Sequence, residues 1–271
     1  MCTKASKKKG SLTVVGTGIK IGAQTSPEAL ACIENADKVL FLPADALTEH
    51  WLRRVNASAE PLHRFYAEDK LRNQTYQEMA DYVLEHVRQG KDVCFVSYGH
   101  PGVFADPMHE SVRRARTDGY AARMLPAISA EDCLFADLGV DPGRDGCQSF
   151  EATGFLVFRK SFDPGAALIL WQIGVIGNLG YKSEFAAWNL PGLEVLRDYL
   201  LGFYDRSHQV AVYDAAPYVL CDSTVQYIEL DHLLDAKITA MSTLYVPPKA
   251  LPEPDAAMVR KLGLETLVEL S

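Results

Sequence analysis

Several features are missing from this 271-residue sequence, and each absence excludes a class of protein. The six cysteines form no C-x-x-C pair, and no histidine stands where it would complete a zinc site, so no metal is expected. Their wide, irregular spacing is typical of thiols in a reducing compartment. The start has no signal-peptide core, and the most apolar window, residues 166–176, is too short to cross a bilayer. We therefore expect a cytoplasmic protein with no membrane segment.

An excess of basic residues is also missing. Lys and Arg number 27 against 35 Asp and Glu, which gives a net charge of −8. Four lysines and no acid fall in the first ten residues, so residues 11–271 carry −12. Binding to a nucleic-acid backbone needs clustered Lys and Arg. The charge therefore argues against nucleic acid and favours small molecules and peptides as partners.

Short β-rich runs alternate with helical patterns along the chain, which is typical of α/β architecture with a largely parallel sheet. The second half is richer in strands, so a mixed sheet is expected there. We predict a basic flexible N-terminus at 1–10, an N-terminal α/β domain at 11–125, a C-terminal α/β domain at 126–248 and a tail with a short helix at 249–271.

Helix caps and apolar runs place most elements. Ser26 with Pro27 predicts the start of the first helix, and Asn73 is expected to cap a long helix that Gly90 ends. Segments expected to be extended include 12–15, 38–42, 62–66, 93–97, 121–125, 147–157, 167–173, 209–214, 224–230 and 239–246. Helices are expected at 27–37, 46–56, 73–90, 107–119, 129–137 and 191–203.

Two glycine-containing turns follow predicted strands. Gly16-Thr17-Gly18 suggests a dinucleotide site only weakly, since Lys20 and Ile21 stand where a third glycine is needed. A nicotinamide oxidoreductase is therefore kept as an alternative. The loop 98–104 favours ligand binding more, because its glycines permit close backbone approach while Tyr98, Val103 and Phe104 offer an apolar wall for a flat ring.

Two further segments could carry chemistry. Ser129 predicts a helix cap, and the small Ala130 leaves room for a ligand at the helix start, although a capped helix alone explains both. Arg72 and Tyr76 are four residues apart, so a helix places them on one face, and Tyr66 could converge on them. The alternative is that Tyr76 belongs to the core and Arg72 to the solvated helix end.

Taken in order, segments 14–18, 98–104 and 126–131 resemble the S-adenosylmethionine-dependent tetrapyrrole methylase fold. The second segment reads Gly99-His100-Pro101, where ordinary members usually carry Gly-Asp-Pro. Together with Phe65-Tyr66, Arg72, Thr75-Tyr76 and residues 242–248, this variant is similar to the borosin peptide backbone α-N-methyltransferases. The resemblance covers roughly residues 10–265.

The resemblance implies a two-domain α/β fold with a mainly parallel N-terminal sheet, a mixed C-terminal sheet and a cofactor cleft between them. It implies S-adenosylmethionine as cofactor, S-adenosylhomocysteine as product, and Tyr66, Arg72 and Tyr76 as catalytic residues. Tyr76, helped by Arg72, would remove the amide proton or hold the amide, while Arg72 and Tyr66 would stabilise charge on the peptide oxygen. Gln172 interrupts an apolar strand, where an unpaired amide costs about 1–3 kcal/mol. The cofactor-binding residues that the resemblance implies are Tyr98, His100, Val103, Phe104, Ser129, Ala130, Gln172, Tyr213, Ser242 and Thr243.

The implied partners are a precursor peptide and a second copy of the chain. No Val/Ile-rich tail follows the last residues, 268–271, so we expect a split borosin whose precursor is a separate molecule, although a truncated fusion would look the same. A homodimer, and a heterotetramer with the precursor, follow from the resemblance. The alternatives are another methyltransferase of this fold, acting on a tetrapyrrole or other small substrate, or a catalytically silent peptide-binding partner.

Overall fold

The computed structural model describes residues 9–42, 45–68, 70–178, 180–181, 190–250 and 253–265. They divide into two units, each with its own sheet. Unit 1 takes the described residues of Met1–Val140, Gly177–Ala187 and Asp214–Thr224, and unit 2 takes those of Asp141–Ile176, Trp188–Tyr213 and Val225–Ser271. Most of the predicted basic N-terminus, and the end of the predicted tail at 266–271, lie outside the described residues.

Unit 1 contains a five-stranded sheet in which every recorded pairing is parallel. Its spatial order is β3-β2-β4-β1-β5. The strands are β1 (Ser11–Gly16), β2 (Lys38–Phe41), β3 (Glu60–Pro61), β4 (Asp92–Ser97) and β5 (Ala121–Met124). The central strand β4 is buried from Val93 to Ser97, as expected for a parallel strand covered on both faces.

Helices cover both faces of this sheet. They are α1 (Pro27–Asn35), α2 (Ala46–Val55), α3 (Arg72–Arg88), α4 (Asp106–Thr117) and α5 (Ala130–Leu138). Val83 of α3 and Met108 of α4 pack with Phe95 in one apolar cluster, while Ile33 of α1 and Leu52 of α2 belong to another. The predicted cap at Ser26 is present, since its hydroxyl accepts from the Ala29 N–H at 3.1 Å.

Unit 2 contains a five-stranded mixed sheet of order β6-β7-β10-β8-β9. Its strands are β6 (Cys147–Glu151), β7 (Ala167–Trp171), β8 (Gln209–Asp214), β9 (Thr224–Glu229) and β10 (Thr243–Val246). The pairing of β6 with β7 is parallel, whereas β10 pairs antiparallel with both β7 and β8. A parallel first sheet and a mixed second sheet confirm the predicted fold class.

The helices of unit 2 are α6 (Pro142–Asp145), α7 (Ala152–Val157), α8 (Leu190–Leu200) and α9 (Ala256–Leu262). Leu196 and Leu200 of α8 pack with Leu170 of β7, Val212 of β8 and Leu244 of β10 in the apolar core of this unit. Among the helices described, none combines the length and the hydropathy that crossing a membrane requires.

Several predicted elements were wrong in detail; the predicted strand 239–246, for example, begins only at Thr243. Residues 62–66 are not extended, because local hydrogen bonds from Phe65 N–H to Leu62 O and from Tyr66 N–H to His63 O close a 3₁₀ turn over His63–Phe65. The predicted strand 147–157 ends at Glu151, whose carboxylate accepts from two backbone N–H groups and starts α7. Asn73 is not a cap either, since α3 begins at Arg72.

Candidate functional site

The loops that follow β1 and β4 are bonded to each other in unit 1. Gly18 N–H donates to Gly99 O at 3.3 Å, and Gly99 N–H donates to Gly18 O at 3.0 Å. A Cβ at Gly16 would lie 2.0 Å from Gly99 O, so only glycine allows this approach. Close packing of two loops therefore accounts for the Gly16-Thr17-Gly18 turn without a dinucleotide.

The loop 98–104 is held by its histidine. Gly102 N–H donates to His100 Nδ1 at 2.9 Å, so this nitrogen carries no proton, and Val103 N–H donates to His100 O at 3.2 Å. His109 of α4 bonds Gly102 O through Nε2 at 2.9 Å. Burial raises the pKa of Tyr98 to about 12, so its phenol is neutral at physiological pH. The loop is thus a fixed scaffold at the end of β4.

Backbone strain marks two of the predicted cofactor residues. Within the described residues, three non-glycine positions have a left-handed φ: Phe104 at 51°, Arg159 at 43° and Gln172 at 59°. Phe104 is also 51% exposed, so its ring is accessible to a ligand. Such conformations cost of order 1–3 kcal/mol and cluster at ligand sites. Strain and exposure together support a binding role for Phe104.

Ser129 and Ala130 lie where α5 begins. The Ser129 hydroxyl donates to Asp132 Oδ2 at 2.6 Å and accepts from Asp132 N–H at 3.2 Å, while Ser129 N–H donates to the same carboxylate oxygen at 2.6 Å. This is a capping box, and it satisfies the start of the helix. The Ser129 hydroxyl is therefore engaged by the fold, and Ala130 is the first helical residue.

Tyr66, Arg72 and Tyr76 converge in unit 1. Arg72 is the first residue of α3, Tyr76 lies one turn later, and Tyr66 directly follows the 3₁₀ turn. Both tyrosines are partly buried against the core, and Arg72 acts electrostatically on both. A cation at a helix N-terminus is unfavourable by a few tenths to about 1 kcal/mol, so stability alone does not explain Arg72 there.

Burial and neighbouring groups together shift the pKa of Tyr66 and of Tyr76. Burial raises the pKa of Tyr66 well above its usual value, and the hydrogen-bond interaction with Tyr76 raises it further. Burial also raises the pKa of Tyr76, although Arg72 and the interaction with Tyr66 both oppose this. Arg72 lowers the pKa of each phenol, but burial outweighs the cation. Both phenols are therefore neutral at pH 7.

Two residues at this cluster were not identified from the sequence. Tyr181 stacks on Tyr66, with ring centroids 4.9 Å apart and planes at 30°. Asp106, at the start of α4, acts on Tyr76 and raises its pKa. Asp106 and Tyr76 both line a groove of about 950 Å³ between α3 and α4. Sequence spacing carries no signal for either residue, since both come from distant parts of the chain.

The four predicted cofactor residues of unit 2 lie where the strands β7 and β8 end and β10, between them, begins, on the same side of its sheet. Thr243 of β10 pairs with Tyr213 of β8, and Ile173 N–H, next to Gln172, donates to Ser242 O at 3.1 Å. Tyr213, Ser242 and Thr243 are all buried. The prediction that Gln172 interrupts a strand was wrong. The strand β7 ends at Trp171, and Gln172 takes the left-handed turn into a 3₁₀ helix.

Comparison with known proteins gives both a family and named relatives. Residues 11–173 match the family described as tetrapyrrole (corrin/porphyrin) methylases. A protein of Gymnopus fusipes named "methyltransferase/ribosomally synthesized cyclic peptide gymnopeptides precursor" is 39% identical over 268 residues, which is 97% of this chain and 63% of that protein. A "methyltransferase/ribosomally synthesized type I borosin cyclic peptide precursor" of Coprinopsis marcescibilis is 41% identical over 255 residues, 92% of this chain and 65% of that protein.

This chain therefore spans slightly less than two thirds of either relative. Among solved structures, the uroporphyrin-III-C-methyltransferase of Thermus thermophilus superposes with a TM-score of 0.63 at 17% identity, covering 92% of this chain and 99% of that chain. Identity that low shows the fold alone. The match over residues 11–173 shows more: the chain belongs to the family of tetrapyrrole (corrin/porphyrin) methylases.

Proposed function

We propose that this protein transfers methyl groups from S-adenosylmethionine to backbone amide nitrogens of a ribosomally made precursor peptide. The observation that carries the proposal is the convergence of Tyr66, Arg72 and Tyr76. The names of two relatives, each a methyltransferase and cyclic peptide precursor, support a peptide as the substrate.

An amide nitrogen is a poor nucleophile because its lone pair is delocalised into the carbonyl. Methylation therefore requires loss of the N–H proton together with stabilisation of the charge that develops on the carbonyl oxygen. A neutral phenol and a guanidinium are both hydrogen-bond donors. We assign Tyr66 and Arg72 to the oxygen of the reacting amide, where they act as oxyanion donors.

Tyr76 is assigned to the proton. Tyr76 shares helix α3 with Arg72, one turn away, and Arg72 lowers its pKa against the effect of burial. Tyr66 lies on a different element, directly after the 3₁₀ turn, and is left to the oxygen of the amide. The N–H proton moves to the Tyr76 oxygen, and Arg72 stabilises the phenolate that precedes this transfer.

S-adenosylmethionine supplies, when bound, an electrophilic methyl group on a sulfonium. The loop 98–104 fits a ligand of this kind, because Phe104 offers an exposed ring on strained backbone and the buried Ser97 hydroxyl at the end of β4 has no hydrogen-bond partner in the part of the chain described. We propose that Tyr98, His100, Val103, Phe104 and Ala130 bind the cofactor, with Ser129 capping the helix that begins at Ala130, and that Gln172, Tyr213, Ser242 and Thr243 also bind it.

A separate precursor chain, a homodimer and a heterotetramer with the precursor are the finer parts of this proposal. They rest on the resemblance to split borosins. The names of the two relatives, in contrast, describe one protein that is both methyltransferase and peptide precursor. Light scattering of the protein, alone and with precursor, measures the assembly. Masses corresponding to one chain throughout would remove the dimer and the tetramer from the proposal and leave the reaction untouched.

Mass spectrometry tests the reaction. The protein is incubated with S-adenosylmethionine and a Val-, Ile- and Ala-rich peptide, supplied free in one sample and fused to the C-terminus in another. We expect mass increases in steps of one methyl group, and fragmentation that places each methyl on a backbone nitrogen. A protein that binds the cofactor but methylates neither peptide would contradict the proposal. Methylation of uroporphyrinogen III instead would identify a tetrapyrrole enzyme.

A further inference from the structure

A segment between β7 and α8 belongs to unit 1 and lies beside the cluster of Tyr66, Arg72 and Tyr76. Gly180 forms an antiparallel bridge with Leu71, and Tyr181 N–H donates to Lys70 O at 3.2 Å. Gly180 N–H also donates to the Asn178 side-chain oxygen at 3.1 Å. The backbone of residues 180–181 is thereby fixed against the residues that immediately precede α3.

This pairing places the Tyr181 ring on Tyr66. The ring centroids are 4.9 Å apart and the planes are inclined by 30°, a stacked arrangement. One face of the Tyr66 ring is therefore covered by Tyr181 rather than by water. A ring held from one face by stacking keeps a single orientation, and the direction of its hydroxyl follows from that orientation.

Lys70 links the same parts through its side chain. Its ammonium donates to Phe65 O at 2.9 Å and to Glu78 Oε2 of α3 at 2.5 Å, while its carbonyl accepts from Tyr181. Lys70 therefore connects Phe65, Glu78 and Tyr181 through its side chain and its carbonyl. The Lys70 side chain is only 20% exposed, so solvent weakens these bonds less than at a fully exposed site.

We infer that Tyr181 is a positioning residue, which orients the Tyr66 hydroxyl by stacking, and that Lys70 holds the two rings in register. The kinetic part of this inference rests on the proposed function, whereas the stacking itself does not. The aromatic ring of Tyr181 matters in this role, and its hydroxyl does not.

The kinetic test compares Tyr181→Leu with Tyr181→Phe, which keeps the ring. We expect kcat for peptide methylation to fall about tenfold or more in Tyr181→Leu, with the KM for S-adenosylmethionine unchanged, and to stay near the wild-type value in Tyr181→Phe. Lys70→Met, which keeps both aromatic side chains but loses the ammonium bonds that hold them in register, should lower kcat by a smaller factor. Equal kcat values in Tyr181→Leu and wild type would overturn the inference, as would equal losses in Tyr181→Leu and Tyr181→Phe.

A second test needs no activity and separates this inference from the proposed function. Tyrosines labelled with ¹³C at Cζ are followed by NMR across pH, with the Tyr66 signal assigned by its loss in Tyr66→Phe. In the wild-type chain we expect Tyr66 to stay protonated where exposed tyrosines titrate, near pH 10. In Tyr181→Leu its titration should move toward that pH. An unchanged Tyr66 signal in a folded Tyr181→Leu would show that Tyr181 does not cover the ring, whatever the protein methylates.

Discussion

Tyr76 provides the sharpest prediction at the scale of single residues. Because burial raises its pKa above the usual value, the phenolate is the minor form at neutral pH and its fraction grows as pH rises. If this phenolate accepts the amide proton, kcat rises about tenfold for each pH unit below that pKa. Initial rates of methylation measured by mass spectrometry from about pH 6 to pH 9 give this slope.

Substitution separates the roles of the tyrosines. Tyr76→Phe should lower kcat by a factor on the order of 10² to 10⁴ and abolish the rise with pH, because the proton acceptor is gone. Tyr227→Phe, which alters an exposed tyrosine of unit 2, is the matched control. It should leave kcat and the rise of kcat with pH unchanged. A wild-type profile that is flat with pH would show instead that Tyr76 acts as a neutral donor to the amide.

The sequence could predict part of this cluster and not the rest. The spacing of four residues places Arg72 and Tyr76 on one helix face, which needs only the geometry of an α-helix. Tyr66 depends on a 3₁₀ turn that was predicted as extended. Tyr181 lies more than a hundred residues further along, and it reaches Tyr66 by a return of the chain that no local pattern indicates.

Glu60 joins several elements of unit 1. Its carboxylate accepts from Lys38 Nζ of β2 at 2.5 Å, from the Tyr82 hydroxyl of α3 at 2.9 Å, and from Arg64 in the 3₁₀ turn. Burial by itself raises the pKa of Glu60, but these three donors outweigh it and bring the value to about 2. The ionised form is therefore favoured in the folded state.

This lowered pKa predicts a dependence of stability on pH. The folded value lies below the unfolded one, so the stabilisation is complete above about pH 4.5 and is lost as pH falls toward about 2. Allowing for solvent screening, Glu60→Gln should cost about 1–2 kcal/mol at pH 7. Urea unfolding at several pH values checks this, with Glu253→Gln, an exposed carboxyl, as control. A difference between wild type and Glu60→Gln that grows on acidification would contradict the assignment.

Substitution of Gly16 tests the contact between the loops that follow β1 and β4. An added Cβ would overlap the backbone oxygen of Gly99, which no side-chain rotation relieves, so Gly16→Ala should destabilise the protein by about 3 kcal/mol or more. Gly154→Ala is the control, because its Cβ meets only the end of Glu151 at 3.3 Å and Phe158 at 4.0 Å. Thermal unfolding measures both variants, and equal midpoints for the two would show that the loops separate without cost.

Most elements could be predicted because burial and caps act locally. The buried run of β4 and the Ser26 cap of α1 need no knowledge of the rest of the chain. Residues 147–157 show the limit of this approach. Their apolar residues suit a strand or a helix, and the hydrogen bonds from Thr153 and Gly154 N–H to the Glu151 carboxylate decide for a helix after β6.

At the scale of the whole molecule, the sequence predicted the two kinds of sheet but not the path of the chain. Alternating strands and helices indicate a parallel sheet, and a strand-rich half indicates a mixed one. Unit 1, however, also includes described residues of Gly177–Ala187 and Asp214–Thr224, which follow β7 and β8 of unit 2. Hydrophobic periodicity assigns residues to elements, and it carries no information on which unit a connecting segment joins.

The last prediction concerns the candidate cofactor residues along the whole chain. We expect Phe104→Ala in unit 1 and Gln172→Ala in unit 2 each to weaken S-adenosylmethionine binding about tenfold, as loss of one ring contact or one hydrogen bond predicts. Isothermal titration calorimetry measures the Kd of each variant. Ser129→Ala should instead leave Kd nearly unchanged and cost about 1 kcal/mol of stability, because its hydroxyl caps α5.

Arg159 supplies the matched control, since it shares the left-handed backbone of Phe104 and Gln172 but was not predicted to bind the cofactor. If strain at Phe104 and Gln172 serves binding, Arg159→Ala should bind S-adenosylmethionine as wild type does. Equal loss of affinity in all three variants would mean that left-handed positions matter for the fold as a whole. Loss confined to Phe104→Ala would remove Gln172 from the cofactor residues, and the assignment at the unit 2 sheet edge would then rest on Tyr213, Ser242 and Thr243.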